Sequence, residues 1–367
     1  MKDSKTGHPD YILASVVGIL ILLGVVILTS VSTVISQEKF GSPNFYLMRH
    51  LLYGILPGLI LGYAAYRIPL EFWKKRAPIL LLASLFLMIL VFFPKIGINS
   101  GGASRWINLG ITSFQPSELL KISFILYLAA WLPSLREKTK KNLSRTLSAF
   151  LAIMGIIGLL LALQPNVSTL GIIITCGILM YFLTGMPAKH ALGIITSIVA
   201  IFAVLVKIAP YRMERVLVFL NPNLDPMGKS YQLKQALIAI GSGGIFGKGL
   251  GMSIQKFGFL PEPMADSIFA VLSEETGLIG SLIIVSLFLI FAWRGLKIAK
   301  KSADSFQKLA CAGIIFWITI QAFVNMGSTI GILPLTGIPL PFISYGGSAI
   351  AAELFGIGIL LNISRHL

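Results

Sequence analysis

Ten apolar stretches divide this chain, each about twenty residues long, which is the length a helix needs to cross the hydrocarbon core of a membrane. Short loops that carry much of the charge separate the stretches. The stretches lie near residues 11–35, 46–66, 77–93, 116–133, 147–164, 170–186, 191–208, 267–293, 309–330 and 347–363. This pattern predicts an all-α integral membrane protein of about ten transmembrane helices, forming one polytopic membrane domain over residues 1–367.

The composition excludes an ordinary soluble protein. Only 12% of the 367 residues are charged and 56% are hydrophobic, whereas soluble domains are about 25% charged. The net charge of +16 would suit nucleic acid, but the basic residues are spread over short loops between apolar stretches. We therefore expect no nucleic-acid partner. Cys176 and Cys311 lie inside apolar stretches and show neither a disulfide nor a metal-ligand pattern.

The basic residues predict the orientation, because the loops richer in Lys and Arg face the cytoplasm. One side of the predicted bundle holds eighteen of the thirty basic residues, including those within 74–76, 136–145 and 294–301. Both termini then lie in the cytoplasm. Three longer segments are left on the outer face: residues 94–115, residues 209–266 between helices 7 and 8, and residues 331–346 between helices 9 and 10.

The segment 331–346 combines prolines and glycines, which forbid a regular helix, with a composition too apolar for a free loop. Non-helical backbone within a membrane protein is tolerated where it is buried in protein or lines a cavity. We therefore predict a re-entrant loop that forms one wall of a site, with Ser344 as a candidate substrate-binding residue.

Four of the fourteen acidic residues fall within GFLPEPMADSIFAVLSEETG, residues 258–277. Asp266 stands where the long loop meets the eighth helix, so it is either a helix N-cap, for which Asp is preferred, or a reactive carboxylate. Glu262 occupies an exposed position and is a candidate substrate contact. Glu274 and Glu275 lie inside the helix and need a polar interior or a basic partner, so we interpret both as support for the charge network of the site.

Two further pairs of charges are candidates. Glu118 and Lys121 lie three residues apart on one helix face, where they either neutralise each other or line a polar cavity. Arg105 precedes them in a Gly-rich loop. Arg212 and Arg215 follow the seventh helix, where guanidinium groups suit a phosphate but equally suit solvent or lipid headgroups.

The run GSGGIFGKGLG, residues 241–251, resembles a phosphate-binding loop but fails the Walker A spacing. We predict that its glycines allow close backbone packing around a bound group, with Lys248 as a phosphate contact. No Ser-His-Asp or metal-ligand arrangement is evident, so the chemistry falls to carboxylates and cations. That combination suits a sugar hydroxyl activated by one acid and a phosphate leaving group stabilised by Arg or Lys.

Four long motifs occur in a fixed order along nearly the whole chain. They read GGASRWINLG…FQPSELLK from residue 101, YQLKQALIAIGSGGIFGKGLG from 231, QKFGFLPEPMADSIFAVLSEETG from 255 and LPLTGIPLPFISYGGS from 333. Together they resemble the SEDS family of bacterial cell-wall polymerases, which includes FtsW, RodA and SpoVE. The third motif is closest to the FtsW branch.

The resemblance implies a peptidoglycan glycosyltransferase of the bacterial cytoplasmic membrane that joins lipid II units at the outer leaflet during cell division. One lipid II attacks the growing undecaprenyl-linked glycan, and undecaprenyl pyrophosphate leaves. The family's residues match Asp266 as catalytic base or metal ligand, and Arg105, Glu118 and Lys121 as substrate-binding residues. The alternatives are a RodA-like polymerase for cell elongation and a lipid II flippase, although a flippase would need polar groups along a path between both faces.

The resemblance also bears on cofactors and partners. It leaves room for a divalent cation, Mg²⁺ or Mn²⁺, at Asp266, although no ligand set in the sequence demands one. It implies a class B penicillin-binding protein as transpeptidase partner, within a division or elongation complex. The chain departs from the family pattern after the fifth helix, where Asn166 replaces an acidic residue. Asn166 is then a supporting residue, and more weight falls on Asp266.

Overall fold

The computed structural model describes residues 7–100, 103–138, 143–187, 190–196 and 230–367, with positions 219 and 228. These residues form a bundle of long helices and one small sheet. The helices are α1 (Tyr11–Phe40), α2 (Phe45–Arg67), α3 (Leu70–Leu90), α4 (Pro116–Lys138), α5 (Leu143–Leu163), α6 (Val167–Leu183), α7 (Tyr231–Gly243), α8 (Ile268–Lys301), α9 (Ser305–Thr329) and α10 (Gly347–Ser364). Residues 190–196 are also helical.

The predicted all-α, multi-span architecture is confirmed. Nine of the ten predicted spans coincide with helices, and the seventh is described only at its start, which is helical. Within the described residues, six helices are long and apolar enough to cross a membrane. Charged residues at the start of α3 and within α4 lower their hydropathy, and α6 is shorter, with 17 residues. The predicted long segment before α8 contains a further helix, α7, of 13 residues.

Residues 94–115, which the sequence predicted to form a Gly-rich loop on the outer face, are not a loop throughout. It forms a three-stranded antiparallel sheet in the order β1 (Gly97–Ser100), β2 (Ala103–Asn108) and β3 (Ser113–Phe114). Ala103 and Ile107 of β2 are buried, and the residues between them are half-buried. Arg105 lies at an irregularity of this strand, because Ser104 and Trp106 pair with the consecutive residues Asn99 and Ile98 of β1.

The segment 331–346 has the predicted non-helical course, and residues 340–344 are buried. Polar side chains of α9 and α10 satisfy its backbone. Gln321 Nε2 donates to the Pro339 carbonyl at 3.0 Å and Asn325 Nδ2 donates to the Ile338 carbonyl at 2.7 Å. The Glu353 carboxylate accepts from the Phe342 N–H at 2.9 Å. These contacts allow an irregular backbone to lie within the bundle.

Helix α8 is broken at Gly277, whose φ of 68° and ψ of −164° interrupt the helical hydrogen bonds. Residues 244–249 supply the missing partners. These bonds join Lys248 N to Glu274 O at 3.0 Å, Gly249 N to Glu275 O at 3.0 Å, Leu278 N to Gly244 O at 2.9 Å and Ile279 N to Ile245 O at 3.2 Å. A side chain at Gly247 would collide with the Glu275 carbonyl. The predicted close packing of the Gly-rich run is present, and the backbone against which it packs is that of α8.

We expect Asn325→Leu to lower the unfolding temperature, because its amide also donates to the Asp266 carbonyl at 2.8 Å and two carbonyl oxygens would lose their donor. A buried group left unsatisfied costs about 1–3 kcal/mol. Thermal unfolding of the purified protein in detergent measures the effect. The control is Thr329→Ala, which removes a buried hydroxyl bonded to its own helix at Asn325 O. An equal fall in unfolding temperature in the two variants would contradict this stabilising role of Asn325.

Candidate functional site

Asp266 lies in the turn before α8 and is half-buried. Gln232 of α7 donates from Nε2 to its Oδ2 at 3.4 Å, and a Cβ at Gly337 would lie 3.6 Å from the same oxygen. The N-cap of α8 is Ser267, and no side chain caps that end of the helix. The N-cap interpretation of Asp266 is therefore wrong, because the carboxylate points between α7 and the re-entrant loop instead.

The backbone that carries Asp266 is held at three consecutive carbonyls. Asn325 donates to Asp266 O, the Ser344 hydroxyl donates to Ala265 O, and the Tyr345 N–H donates to Met264 O at 2.9 Å. Ser344 also accepts from the Leu340 N–H at 2.8 Å and is buried. The Ser344 hydroxyl thus holds the fold as donor and as acceptor, and its role as a substrate contact stays a prediction.

Glu262 is exposed, as predicted, and forms the turn that leads to Asp266. Its carbonyl accepts from Ala265 N at 3.1 Å and from Ser267 N at 3.3 Å. Its φ is 48°, in the left-handed region. The side chain therefore projects from a tight turn next to the carboxylate of interest.

Arg105 reaches the turn between α5 and α6. Its Nε donates to Gln164 O at 3.1 Å and its Nη2 donates to Pro165 O. Asn166, in the same turn, donates from Nδ2 to Ser117 Oγ at 3.3 Å. The turn thus links the start of α4 to the sheet, and the amide at position 166 acts within that link.

The first turn of α6 continues this connection to the re-entrant loop. The Ser168 hydroxyl donates to the carbonyl of Thr336, and the next residue is Gly337, beside the Asp266 carboxylate. A chain of hydrogen bonds therefore runs from Arg105 through the α5–α6 turn to the neighbourhood of Asp266. The predicted residues Arg105, Asn166 and Asp266 belong to one end of the bundle.

Glu118 and Lys121 form a salt bridge of 2.8 Å, and their side chains are only 3% and 2% exposed. Mutual neutralisation is thus present, but the pair has a further partner. Lys121 Nζ donates to Gln321 Oε1 at 2.7 Å and lies 5.0 Å from the centre of the Trp317 ring. Because Gln321 also binds the re-entrant loop at Pro339, this pair supports the wall of the site.

Glu274 and Glu275 each find a lysine. Lys248 Nζ lies 2.7 Å from Glu274, and Lys256 Nζ lies 2.9 Å from Glu275, which also accepts from the Ser30 hydroxyl of α1 at 2.6 Å. Glu274 additionally accepts from the backbone N–H groups of residues 254 and 255. The two acids therefore clamp residues 248–256 onto α8. Lys248, the predicted phosphate contact, is engaged with Glu274 and remains 29% exposed.

Two predictions remain: the pair of arginines that follows the seventh helix and the divalent-cation site at Asp266. Arg212 and Arg215 lie outside the described residues. Across the described part of the chain, no group of three or more His, Cys, Asp or Glu side chains is arranged to hold a metal ion. The described surroundings of Asp266 therefore do not form a protein cage for a divalent cation.

Sequence reasoning missed several polar side chains that hold the non-helical segments: the half-buried Gln232 and the buried Lys256, Gln321, Asn325 and Glu353. A signal existed for two of them, because Gln321 and Asn325 lie four residues apart on one face of an otherwise apolar helix. Polar residues inside a membrane helix usually face the bundle interior. Glu353, the single acid of α10, gave the same signal.

We expect Lys121→Met to destabilise the protein by about 3–5 kcal/mol, because it leaves the buried Glu118 carboxylate without its cation. The double variant Glu118→Gln/Lys121→Met removes both charges at similar volume and should recover most of that loss. Thermal unfolding of the parent, both single variants and the double variant measures the coupling. Additive effects of the two single substitutions would contradict a stabilising pair.

Comparison with known proteins yields consistent matches over the whole length. The family model FtsW/RodA/SpoVE, described as "Cell cycle protein", matches residues 11–367. Stage V sporulation protein E of Bacillus subtilis (strain 168) is 37% identical over 366 residues, covering 99% of both chains. A probable peptidoglycan glycosyltransferase FtsW of Coxiella burnetii is 39% identical over 348 residues, covering 94% of this chain and 93% of the relative.

A solved structure extends the match to the fold. One chain of a structure described as "Structural coordination of polymerization and crosslinking by a peptidoglycan synthase complex" superposes with a TM-score of 0.79 at 26% identity. The superposition covers 97% of this chain and 98% of that chain. Similarity therefore extends over the helical bundle and the described segments of the candidate site.

Proposed function

This chain belongs to the FtsW/RodA/SpoVE family, and on that premise we propose that it is a peptidoglycan glycosyltransferase that polymerises lipid II. It is a multi-pass membrane protein, which we treat as one polytopic domain over residues 1–367. We assign it the FtsW-like role in cell division, with a RodA-like role in elongation as the alternative. The observation that carries the proposal is a half-buried carboxylate, Asp266, held between α7 and the re-entrant loop.

The proposal requires the Asp266 end of the bundle to face outward, where lipid-linked sugars are presented. The charge distribution supports this orientation. Eighteen of the thirty Lys and Arg residues belong to the opposite side, which is then cytoplasmic together with both termini. The sheet, α7 and the re-entrant loop, which lie at the Asp266 end of the bundle, accordingly belong to the outer face.

In the proposed reaction, Asp266 accepts the proton of the GlcNAc 4-hydroxyl of an incoming lipid II. The hydroxyl oxygen forms a bond to the MurNAc anomeric carbon of the growing glycan. The bond from that carbon to pyrophosphate breaks, and undecaprenyl pyrophosphate leaves with the electron pair. Attack opposite the leaving group converts the α-linked donor into a β-1,4 linkage.

The leaving pyrophosphate needs cations to stabilise its charge. We propose that Arg105, Arg212, Arg215 and Lys248 supply them, with Glu118 and Lys121 supporting the wall behind the substrate and Glu262 at its exposed edge. Lys248 suits this role because its side chain is partly exposed, although it is paired with the buried Glu274. Because the described acids near Asp266 do not form a metal cage, no step of this proposal passes through a metal ion.

We expect Asp266→Asn to reduce lipid II polymerisation by a factor of about 10²–10⁴, which is the usual contribution of a general base. The thermal unfolding temperature should stay close to that of the parent, since Asn preserves the shape. Polymerisation of purified lipid II by the protein with its partner is the measurement. The control is Glu38→Gln, which neutralises an exposed acid in the last turn of α1. This variant should polymerise lipid II normally.

Two outcomes would contradict the mechanism. Normal polymerisation by the Asp266→Asn variant would exclude this carboxylate as the base. Absence of polymerase activity in the parent, together with lipid II translocation that survives the substitution, would favour a flippase.

The proposed transpeptidase partner, a class B penicillin-binding protein, needs a docking surface for its membrane helix. An apolar groove of about 750 Å³ lies between α7, α8 and α9. Phe269, Leu278, Leu282, Phe323 and Met326 are among its lining residues. Grooves between helices that expose apolar side chains suit a single partner helix, and the matched structure is itself a peptidoglycan synthase complex.

We expect Leu278→Trp/Leu282→Trp to abolish co-purification of the class B penicillin-binding protein, because two large side chains would fill the groove. The matched control is Leu289→Trp/Leu296→Trp, which adds the same bulk to exposed positions of α8 outside the groove. Pull-down of the co-expressed partner measures the effect. Equal recovery of the partner with both double variants would place its helix elsewhere.

A further inference from the structure

A polar cavity of about 650 Å³ lies at the other end of α8 from Asp266. Its volume falls within the range of about 300–1,000 Å³ that is typical of ligand sites. The walls are the start of α1 and the ends of α8 and α10, and the polar side chains among them are His8, Asp10, Arg294, Lys297, Lys301 and Ser364. The proposed glycosyltransferase reaction uses none of these residues.

Hydrogen bonds through Asp10 hold the three walls together. Its carboxylate caps α1 by accepting from the Leu13 N–H at 3.0 Å, and it accepts from Arg294 Nε at 2.7 Å. The Asp10 N–H donates to the Ser364 hydroxyl of α10 at 3.0 Å. The cavity is therefore a defined feature of the fold.

The charge of this cavity is unbalanced. Arg294, Lys297 and Lys301 lie three and four residues apart, on one face of α8. Among the described lining residues, Asp10 is the single acidic side chain, and it is already paired with Arg294. Within the described part of the chain, neither lysine forms a salt bridge with a carboxylate. Two ammonium groups therefore border a concave site, and no described carboxylate forms a salt bridge with either.

Two exposed aromatic residues indicate that the cavity lies at the level of the membrane–water interface. Tyr11 lines it and is 62% exposed, and Trp293 is 59% exposed with Lys297 Nζ lying 5.3 Å from its ring centre. Tyr and Trp are enriched where membrane meets water. The ammonium groups of the cavity therefore lie at the level of lipid headgroups.

We propose that this cavity binds the phosphate group of an anionic phospholipid of the cytoplasmic leaflet. Basic pockets between transmembrane helices on the cytoplasmic side recognise such headgroups by charge. The phosphodiester lies between Lys297 and Lys301, and the acyl chains follow the exposed surface beside Trp293 and Tyr11. Bound lipid ties the start of α1 to the ends of α8 and α10 and so stabilises the bundle.

The test uses the full chain in detergent, titrated with phosphatidylglycerol or with phosphatidylcholine. Native mass spectrometry counts bound lipid, and thermal unfolding reports stabilisation. We expect phosphatidylglycerol to bind and stabilise the parent selectively. Lys297→Gln/Lys301→Gln should weaken that binding roughly thirtyfold, since each lysine near an anionic headgroup contributes about a factor of five.

The matched control is Lys300→Gln/Lys308→Gln, which removes the same charge from exposed positions at the same end of α8 and α9 but outside the cavity. This variant should bind phosphatidylglycerol like the parent. Equal weakening in both double variants would overturn the proposal, because it would assign binding to general surface charge. Stabilisation by inorganic phosphate in phosphatidylcholine, at the level reached with phosphatidylglycerol, would assign the site to a soluble phosphate compound and would also overturn it.

Two further measurements keep the test decisive if the Gln variant does not fold. Lys297→Arg/Lys301→Arg preserves both charges and should retain selective binding. In the parent, the stabilisation by phosphatidylglycerol should fall as salt increases, because the contact is electrostatic and partly exposed. Salt-independent stabilisation, or loss of binding in the Arg variant at unchanged stability, would contradict a site built on these two charges.

Discussion

Backbone groups that leave a helix within a membrane protein must find their hydrogen bonds inside the protein, because the bilayer offers none. Two segments of this chain are subject to that constraint. The re-entrant loop takes its donors from the amides of Gln321 and Asn325, and the break in α8 at Gly277 takes its partners from residues 244–249. The turn that carries Asp266 is hydrogen-bonded to the first segment through Ser344 and Tyr345. That turn leads into the helix that contains the second segment, so the position of Asp266 depends on both.

Buried ion pairs also join the non-helical segments to the helices. Lys248 and Lys256 connect the Gly-rich run to α8 through Glu274 and Glu275, and Ser30 extends that contact to α1. A buried ion pair often contributes little net stability, since desolvation offsets the attraction of the charges. Replacing a buried ion pair by apolar side chains of similar volume is often neutral or stabilising. We therefore interpret the pairs as devices that fix where the loop lies relative to Asp266.

The helices could be predicted because twenty apolar residues are a local signal that does not depend on partners. The sheet could not, since its strands are two to six residues long and gain stability from pairing. Contacts between distant parts of the chain could not be predicted from the sequence either. Examples are the hydrogen bonds from Arg105 to the Pro165 carbonyl and from Ser168 to the Thr336 carbonyl. The family resemblance singled out Asp266, but spacing alone left its role as a helix cap open, and the fold of α8 closed that alternative.

The break at Gly277 divides α8 into two parts that are held differently. Residues 268–276 lack the continuous helical bonds to the rest of α8, and their orientation is set by hydrogen bonds to residues 244–249. The Gly-rich segment is therefore part of the bundle rather than an appended loop. A substrate or partner that displaces it would act on residues 268–276, the part of α8 that directly follows the turn carrying Asp266. The groove between α7, α8 and α9 includes Gly244, Ile245 and Gly277. A partner helix in that groove would therefore contact the break in α8 directly. This contact offers a physical route from partner binding to catalysis.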